Sequence, residues 1–397
     1  MTRPTPRRLH RFVCRHLRLA AYLAQPGDGR TRPRIPAATL RWAHRIGQVL
    51  REWAFHAIEA LVRSPARRAL GVGHRFGEDT LAYVTAHCDP APTRQALVPG
   101  VRRATRNKAV EHSRFIGLAL DGTGAGRCAT ARCPLCRPIR DAAQQITGAA
   151  HRLVFLTVVG TGLTLPVDVE PYGPGDSEYV AGRRLLRRAV PALGVRVADY
   201  VVVDGEFATA PFLHTVGDLG LRVIARLKGN RPDLAHAVEA RFAHRPPTAT
   251  FRVGPDRVEG WEADDFDPWV TLRWATVRVL RYRQHQPDGT GVAADWLTDF
   301  PTRQVSARRL SRLAKSRWEV ENQGFNDGKT RYGLAHIRHH HAASLVLCWL
   351  VVALGMPIER LYRLRYLPRG THSPYPAIAL VRLFRLSLGA PLPADSS

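Results

Sequence analysis

Two short apolar runs, each stopped by Asp-Gly, constrain this chain more than any other feature. Residues 115–123 read FIGLALDGT and residues 199–207 read DYVVVDGEF. An apolar or β-branched run that ends in an acid and a glycine predicts a buried strand with a carboxylate at its C-terminal tip: Asp121 in the first run, Asp204 in the second. One such acid is a weak signal. Two buried strands, each delivering one, can set two carboxylates side by side, which is the arrangement hard divalent cations need.

Charge says what the partner is. The 397 residues are 45% hydrophobic, enough for a large core or several domains, yet carry a formal net charge of +26. Such a balance predicts a polyanionic partner, with nucleic acid the leading choice. The core is too large for a ribosomal protein, and no basic amphipathic anchor marks a membrane-surface protein. Lysine occurs only at Lys108, Lys228, Lys315 and Lys329, all other cationic side chains being arginine. With the abundant Ala, Pro and Gly, that choice fits a GC-rich genome. The six cysteines do not suggest a disulfide scaffold. Cys14, Cys88 and Cys348 fall within helical patterns and read as reduced and buried. The N-terminus lacks the apolar segment and cleavage site of a signal peptide, and the run Leu345 to Leu354 is too short to cross a bilayer. The expectation is a cytoplasmic protein with no membrane contact.

Patterning divides the chain. Residues 1–112 read as a basic, all-helical region, with helical spacing near Phe12 to Leu23, over Ala37 to Leu70, after the acidic turn Gly77-Glu78-Asp79-Thr80, and over Arg94 to Val110. Residues 113–230 predict the order β-β-β-α-β-α-β: strands at 115–121, Leu153–Gly160 and Leu163–Val169, a helix near Glu178–Val190, a strand at 199–204, a helix near Thr209–Leu219 and a strand at Arg222–Leu227. The first three suit an antiparallel meander, and the later ones need crossover helices. Residues 231–305 read as a β-rich insertion with short strands at Thr250–Val253, Trp269–Trp274 and Thr276–Tyr282. Helix returns over Ser306 to Asn326 and over 342–364, and residues 366–397 form a Pro-rich tail with one helix. The fold class is mixed α/β.

A third acid lies in the helical stretch SRWEVENQGFNDGKTRYGLAH, residues 316–336. On a regular helix Arg317, Glu321 and Phe325 share a face at i, i+4 and i+8. Taken alone, Arg317 and Glu321 suit an ordinary solvated pair. The order strand-Asp, strand-Asp, β-rich insertion, helix with R-W-x-V-E resembles the DDE transposases of bacterial insertion sequences, through LALDGTG at 118–124, VVVDGEF at 201–207, ARLKGN at 225–230 and RWEVENQGF at 317–325. The resemblance spans roughly residues 75–355. It implies a ribonuclease H-like core interrupted by a β insertion before the catalytic glutamate, and metal-dependent DNA cleavage and strand transfer at the ends of a mobile element. It implies Asp121, Asp204 and Glu321 as catalytic ligands of Mg²⁺ or Mn²⁺. It implies Arg317, Lys329, Lys228, Trp318 and Asn322 as DNA contacts, double-stranded DNA (terminal repeats and target) as partner, a homodimer on DNA, and a nucleoid-associated location in a bacterial cytoplasm. The chain departs from the pattern in three places. Ala314 stands where a Tyr is expected, Glu206 stands two residues after Asp204, and Lys329 comes one residue later than the expected Lys, so that either the helix carries an extra residue or Lys329 plays no equivalent role. Glu319, the competing acid, reads as solvated. The rival functions are a catalytically inactive transposase-derived DNA-binding protein and a metal-dependent nuclease on the same core.

One motif falls outside the resemblance. Cys128, Cys133 and Cys136 follow a C-x4-C-x2-C spacing, and His151 opens the next strand. These four residues suit either a Cys₃His zinc site or a set of reduced loop thiols, with His112 a second candidate ligand. The run His339-His340-His341 suggests metal by composition and suits a phosphate-facing or capping role better.

Overall fold

A computed structural model of the chain describes residues 4–24, 28–106, 114–194, 197–366 and 376–389. Ten strands form one sheet in the order β2-β3-β1-β5-β6-β10-β9-β8-β7, with β4 also paired to β3. The strands are β1 (Gly117–Cys128), β2 (Arg137–Arg140), β3 (Ile146–Val159), β4 (Leu165–Pro171), β5 (Tyr200–Val203), β6 (Arg222–Leu227), β7 (Ala249–Val253), β8 (Asp256–Phe266), β9 (Val277–His285) and β10 (Gly291–Thr298). The architecture is the mixed α/β one expected from the sequence.

The centre of the sheet is where β5 lies. Its four residues, YVVV, are all buried, as a short strand parallel to both neighbours must be. The helices Glu178–Leu193 and Ala210–Asp218 make the crossovers that parallel pairing requires. β1 corrects the expected strand end. It does not stop at Asp121 but runs on to Cys128, paired along its length with β3. β5 pairs with β1 only as far as Leu120 opposite Val203. Asp121 is therefore the point where β1 outruns its parallel neighbour. β2, unexpected from the sequence, lies beside the outer part of β3.

The insertion is not a separate layer. β10 pairs antiparallel with β6, so its strands extend the core sheet. A helix at Pro232–Phe242 opens it, set by the apolar stripe Leu234, Val238 and Phe242. The expected strand at Trp269–Trp274 is absent. That segment is a loop in which Trp269 packs under the Arg231 guanidinium.

The long helix Ala342–Tyr366 is apolar and long enough to cross a membrane by composition, but 83% of its most apolar stretch is buried inside the protein. The helices Ala37–Val49, Glu78–His87 and Leu97–Arg106 pack on it. Polar ties fasten this helical region to the rest. Gln48 Nε2 donates to the Tyr332 carbonyl at 2.6 Å, Arg51 pairs with buried Glu359 at 2.7 Å, and Arg94 pairs with buried Asp168 of β4. The first 106 residues share one continuous hydrophobic core with the sheet. The expected long helices are broken here: Ala37–Val49 ends before Phe55–Arg63, and Ala91–Gln95 before Leu97–Arg106. The tail holds the helix Ala377–Ser387. His112, the end of the Arg94–Val110 helix and most of the tail lie outside the described residues.

Candidate active site

The parallel register fixes two of the acids. Leu120 sits opposite Val203, so the next residues along the two neighbouring strands are Asp121 and Asp204. The third acid comes from the segment after the helix Ala307–Lys315. There the backbone makes a short α turn at Arg317–Glu319, a π-helical stretch over Val320–Asn326, and a final α segment Asp327–Tyr332. A π stretch accommodates one extra residue within a helix. One extra residue there matches the one-residue delay of Lys329, and the π stretch replaces the regular i, i+4, i+8 face expected for Arg317, Glu321 and Phe325. Buried Val320 and Phe325 hold the segment against the core, Ser316 meets buried Tyr200 at 2.9 Å, and Arg360 of the long helix donates to the Gln323 carbonyl at 2.6 Å.

Cations stand on all three acids. Arg317 Nη1 lies 2.7 Å from Asp121 and its Nη2 lies 3.8 Å from Glu321. Lys228, from the turn after β6, lies 2.6 Å from Asp204. Gly205 makes room for that lysine, since a Cβ there would come within 2.9 Å of its stem. The Asp121 and Asp204 side chains are mostly covered, while Glu321 is half exposed. Burial lifts the Asp121 carboxyl to about 6, Arg317 pulling against it and the nearby Glu178 and Asp204 charges reinforcing it. Burial also pushes Asp204 upward, but Lys228 and the Gly205 backbone outweigh it and leave the group below its ordinary value.

The other expected contacts are placed around this centre. Lys329 lines an open cleft together with Gly122 and Gly124, and burial lowers its pKa. Trp318 and Asn322 are exposed on the same helical stretch, and Asn322 makes no side-chain hydrogen bond among the described residues. Glu319 is not solvated, as expected from sequence. It accepts hydrogen bonds from the Gly160 backbone at 3.1 and 3.2 Å and caps the turn between β3 and β4. Sequence reasoning missed Glu178. At the first residue of its helix, it accepts a hydrogen bond from Tyr172 at 2.8 Å and packs against the backbone at Gly122. Its only sequence signal was an acid in a helix's first turn.

The cysteines gather at the far end of β1. Cys136 Sγ lies 3.9 Å from Cys128 Sγ, 3.6 Å from Cys133 Sγ and 3.4 Å from His151 Nε2. Cys133 Sγ lies 3.2 Å from the same nitrogen. Among the described residues, the ligand atoms of Cys128, Cys136 and His151 all lie within 4.8 Å of one another, and Cys133 touches two of the three. His151 is fully buried. Burial pushes the Cys136 thiol up, but backbone N–H groups of Arg132 and Cys133 and the neighbouring thiols bring it below its ordinary value. All six cysteines are free. Cys14 is half-buried rather than buried. His340 faces His151 at 6.5 Å between ring centres, and His339 stacks on His341.

A family model described as the transposase DDE domain matches residues 113–355, from just before β1 into the long helix. The chain belongs to the DDE transposase family. It is a transposase, an enzyme that cleaves and transfers DNA strands, and enzymes of this family work with divalent metal ions. No curated protein sequence matches the transposase. A cryo-EM structure of a piggyBac transposase synaptic complex with hairpin DNA shares its fold, at 11% identity and a TM-score of 0.50, covering 99% of this chain and 83% of that one.

Proposed function

We propose that Asp121, Asp204 and Glu321 are the catalytic acids of this transposase, that Mg²⁺ or Mn²⁺ is the ion they hold, and that the substrates are the element's terminal repeats and a target duplex. The observation that carries this is the register of Leu120 on Val203, which sets Asp121 and Asp204 next to each other, together with Arg317, which joins Asp121 to Glu321. Three carboxylates that each hold a basic side chain form a donor set suited to a hard cation. A divalent ion bound there supplies Lewis-acid activation of the attacking oxygen and charge relief for the leaving one in a displacement at phosphorus. The protein's own part is positioning. Arg317 carries a planar fork that matches a phosphate, and Lys228 and Lys329 act as point charges. Trp318 and Asn322 offer exposed contacts on the same face. The arginine-rich region of residues 1–112 recognises the repeats, a homodimer assembles on the DNA, and the protein works at the nucleoid in a bacterial cytoplasm.

The test uses duplexes carrying the element's own ends. Replacing Asp121, Asp204 or Glu321 by Ala abolishes cleavage while end binding is retained, and the wild type joins precut ends to a plasmid. Equal loss of binding assigns the acids a folding role. Cleavage without joining favours a nuclease.

A structural zinc held by Cys128, Cys133, Cys136 and His151 belongs to the same proposal. Tetrahedral zinc with bonds of about 2.3 Å to sulfur and about 2.0–2.1 Å to nitrogen needs sulfurs about 3.8 Å apart and sulfur–nitrogen separations of about 3.5 Å. The observed 3.6 and 3.9 Å, and 3.2 and 3.4 Å, support that fit. The ion would fasten the loop between β1 and β2 to β3.

A further inference from the structure

β1 runs on well past Asp121, and that extension has no part in the chemistry above. Its sequence, Gly122-Thr-Gly-Ala-Gly-Arg127, puts three glycines at alternate positions. Gly122, Gly124 and Gly126 floor a cleft of about 590 Å³ walled by Arg127, Arg152 and Lys329. Gly124 is open to the point that a side chain there would meet nothing within 4 Å. A second cleft of about 470 Å³ continues it, sharing Arg127 and Arg152 and adding Arg137 and Arg140.

The charges in this trough are incompletely neutralised: Arg152 feels the Glu178 carboxylate and hydrogen-bonds the Tyr172 hydroxyl, and Arg137 feels Asp176. Arg127, Arg140 and Arg152 are exposed, and none forms an ion pair among the described residues. Arg137 is fixed by the Gly173 and Asp176 carbonyls at 2.7 and 2.8 Å and lies over Tyr172. Arginines elsewhere on or against the sheet are neutralised: Arg94 and Arg188, from helices packed on it, pair with Asp168, and Arg281 of β9 pairs with Asp295. A row of guanidinium groups that form no close ion pair, as at Arg127, Arg140 and Arg152, fits phosphates repeated along a chain better than one compact anion, because the charges are strung out rather than converging. At Gly124 the open floor lets a backbone come close.

We infer that this trough seats the sugar-phosphate backbone of a DNA strand beside the reacting phosphate, through Arg127, Arg152 and Arg140. The inference rests on the assignment of Asp121 to the reaction centre. From Asp121 to Arg127 is six strand residues, about 20 Å at 3.3 Å each. That spans roughly six nucleotide steps of duplex at 3.4 Å. The cysteine cluster lies just beyond Arg127 and holds in place the loop leading to Arg137 and Arg140.

The test is the full-length protein carrying Arg127→Ala with Arg152→Ala, and the same pair changed to Lys. Binding to a random-sequence duplex is followed across salt concentrations. Two lost contacts should make the slope of log affinity against log salt shallower by about 1.8, with the Lys pair keeping the wild-type slope. A melting temperature equal to wild type shows that the exposed changes leave the fold intact. Cleavage of element ends and joining of precut ends are measured separately. Loss of cleavage alone means the strand is donor DNA, and loss of joining alone means it is target DNA. An unchanged slope with both reactions intact overturns the proposal. Asp121→Asn separates the two readings: if that variant still cleaves, the site assignment fails, while the arginine slopes still decide the trough.

Discussion

Gly122 lies so close to Glu178 that a methyl group on its α-carbon would land on the Glu178 carboxylate. The glycine after Asp121 is thus set by an acid from the first turn of a helix more than fifty residues later in the chain. Gly122→Ala should destabilise the protein by about 1–3 kcal/mol, the range for forcing a methyl group into a packed site. Adding Glu178→Ala should restore most of that loss. Thermal melts of the two single variants and the double variant form the cycle, and purely additive losses would show that the two residues do not compete for the same space.

The Asp121 carboxyl gives a pH dependence with a definite sign. Unfolded, it ionises near 3.8. Folded, burial keeps its proton to about 6. Between these values the folded state binds more protons than the unfolded one, so stability falls as pH rises through this window. Asp121→Asn escapes that loss. In a chelating buffer the variant should match wild type below about pH 4 and exceed it above about pH 6 by up to about 3 kcal/mol, at 1.36 kcal/mol per unit. Added Mg²⁺ should stabilise wild type and not the variant. A difference that does not shrink on acidification would rule out burial of the charge as its source.

Arg317 joins two of the three acids, so it competes with any cation they could bind. Arg317→Ala should tighten Mn²⁺ binding to the DNA-free protein several-fold, read from the spin-resonance signal of free Mn²⁺. The same change should lower cleavage by about 100-fold or more, because the phosphate loses its charged fork. Weaker Mn²⁺ binding would mean that Arg317 holds the acids in position rather than occupying their place.

The central strands were legible in the sequence because nothing local opposes them. Val201, Val202 and Val203 are β-branched, continuous and stopped by Asp-Gly, and β5 ends there. The same signal misled for β1. Asp121-Gly122 also looks like a stop, but β3 supplies a partner for the whole length of β1 and carries it on to Cys128. Trp269–Trp274 has the aromatic content of a strand and no neighbour to pair with. Of the proposed site, Asp121 and Asp204 were placed at neighbouring strand ends by sequence, and the register of Leu120 on Val203 sets them there. The π stretch showed only as the late Lys329, one of two readings, because one inserted residue in a helix leaves no mark in composition. Glu178 was hidden for a different reason: its neighbour Gly122 comes close only through folding of β1 against a distant helix.

The cysteine cluster predicts bound metal. Purified protein should contain about one zinc per chain by elemental analysis, lost in Cys133→Ser/Cys136→Ser. The melting temperature should fall with it, by about 5 °C or more, which for a large domain corresponds to roughly 2 kcal/mol. Protein free of zinc, with a double variant that melts like wild type, would leave the residues as a loop of reduced thiols.

The π stretch between Glu321 and Lys329 makes the last prediction. Asn322 is exposed and makes no side-chain hydrogen bond among the described residues, so removing it takes away one residue and little else. The ends of the segment are tied down independently, by Ser316 on Tyr200 before it and by Arg360 on Asp327 at 3.0 Å after it. The deletion should therefore relax the π turn to an α turn while both ends stay in place, and the protein should melt within a few degrees of wild type. Arg360 also holds the Gln323 carbonyl at 2.6 Å, so the turn falls on the residues just before it, where Glu321 lies. π turns concentrate where a side chain must be aimed for function. Cleavage of element ends should fall by about 100-fold or more, with binding of the same DNA unchanged. If the shortened protein cuts at the wild-type rate, the extra residue does nothing to direct Glu321. If it fails to fold, the ties at the two ends are weaker than their geometry implies, and the late Lys329 is better explained as a displaced residue than as the end of an accommodated insertion.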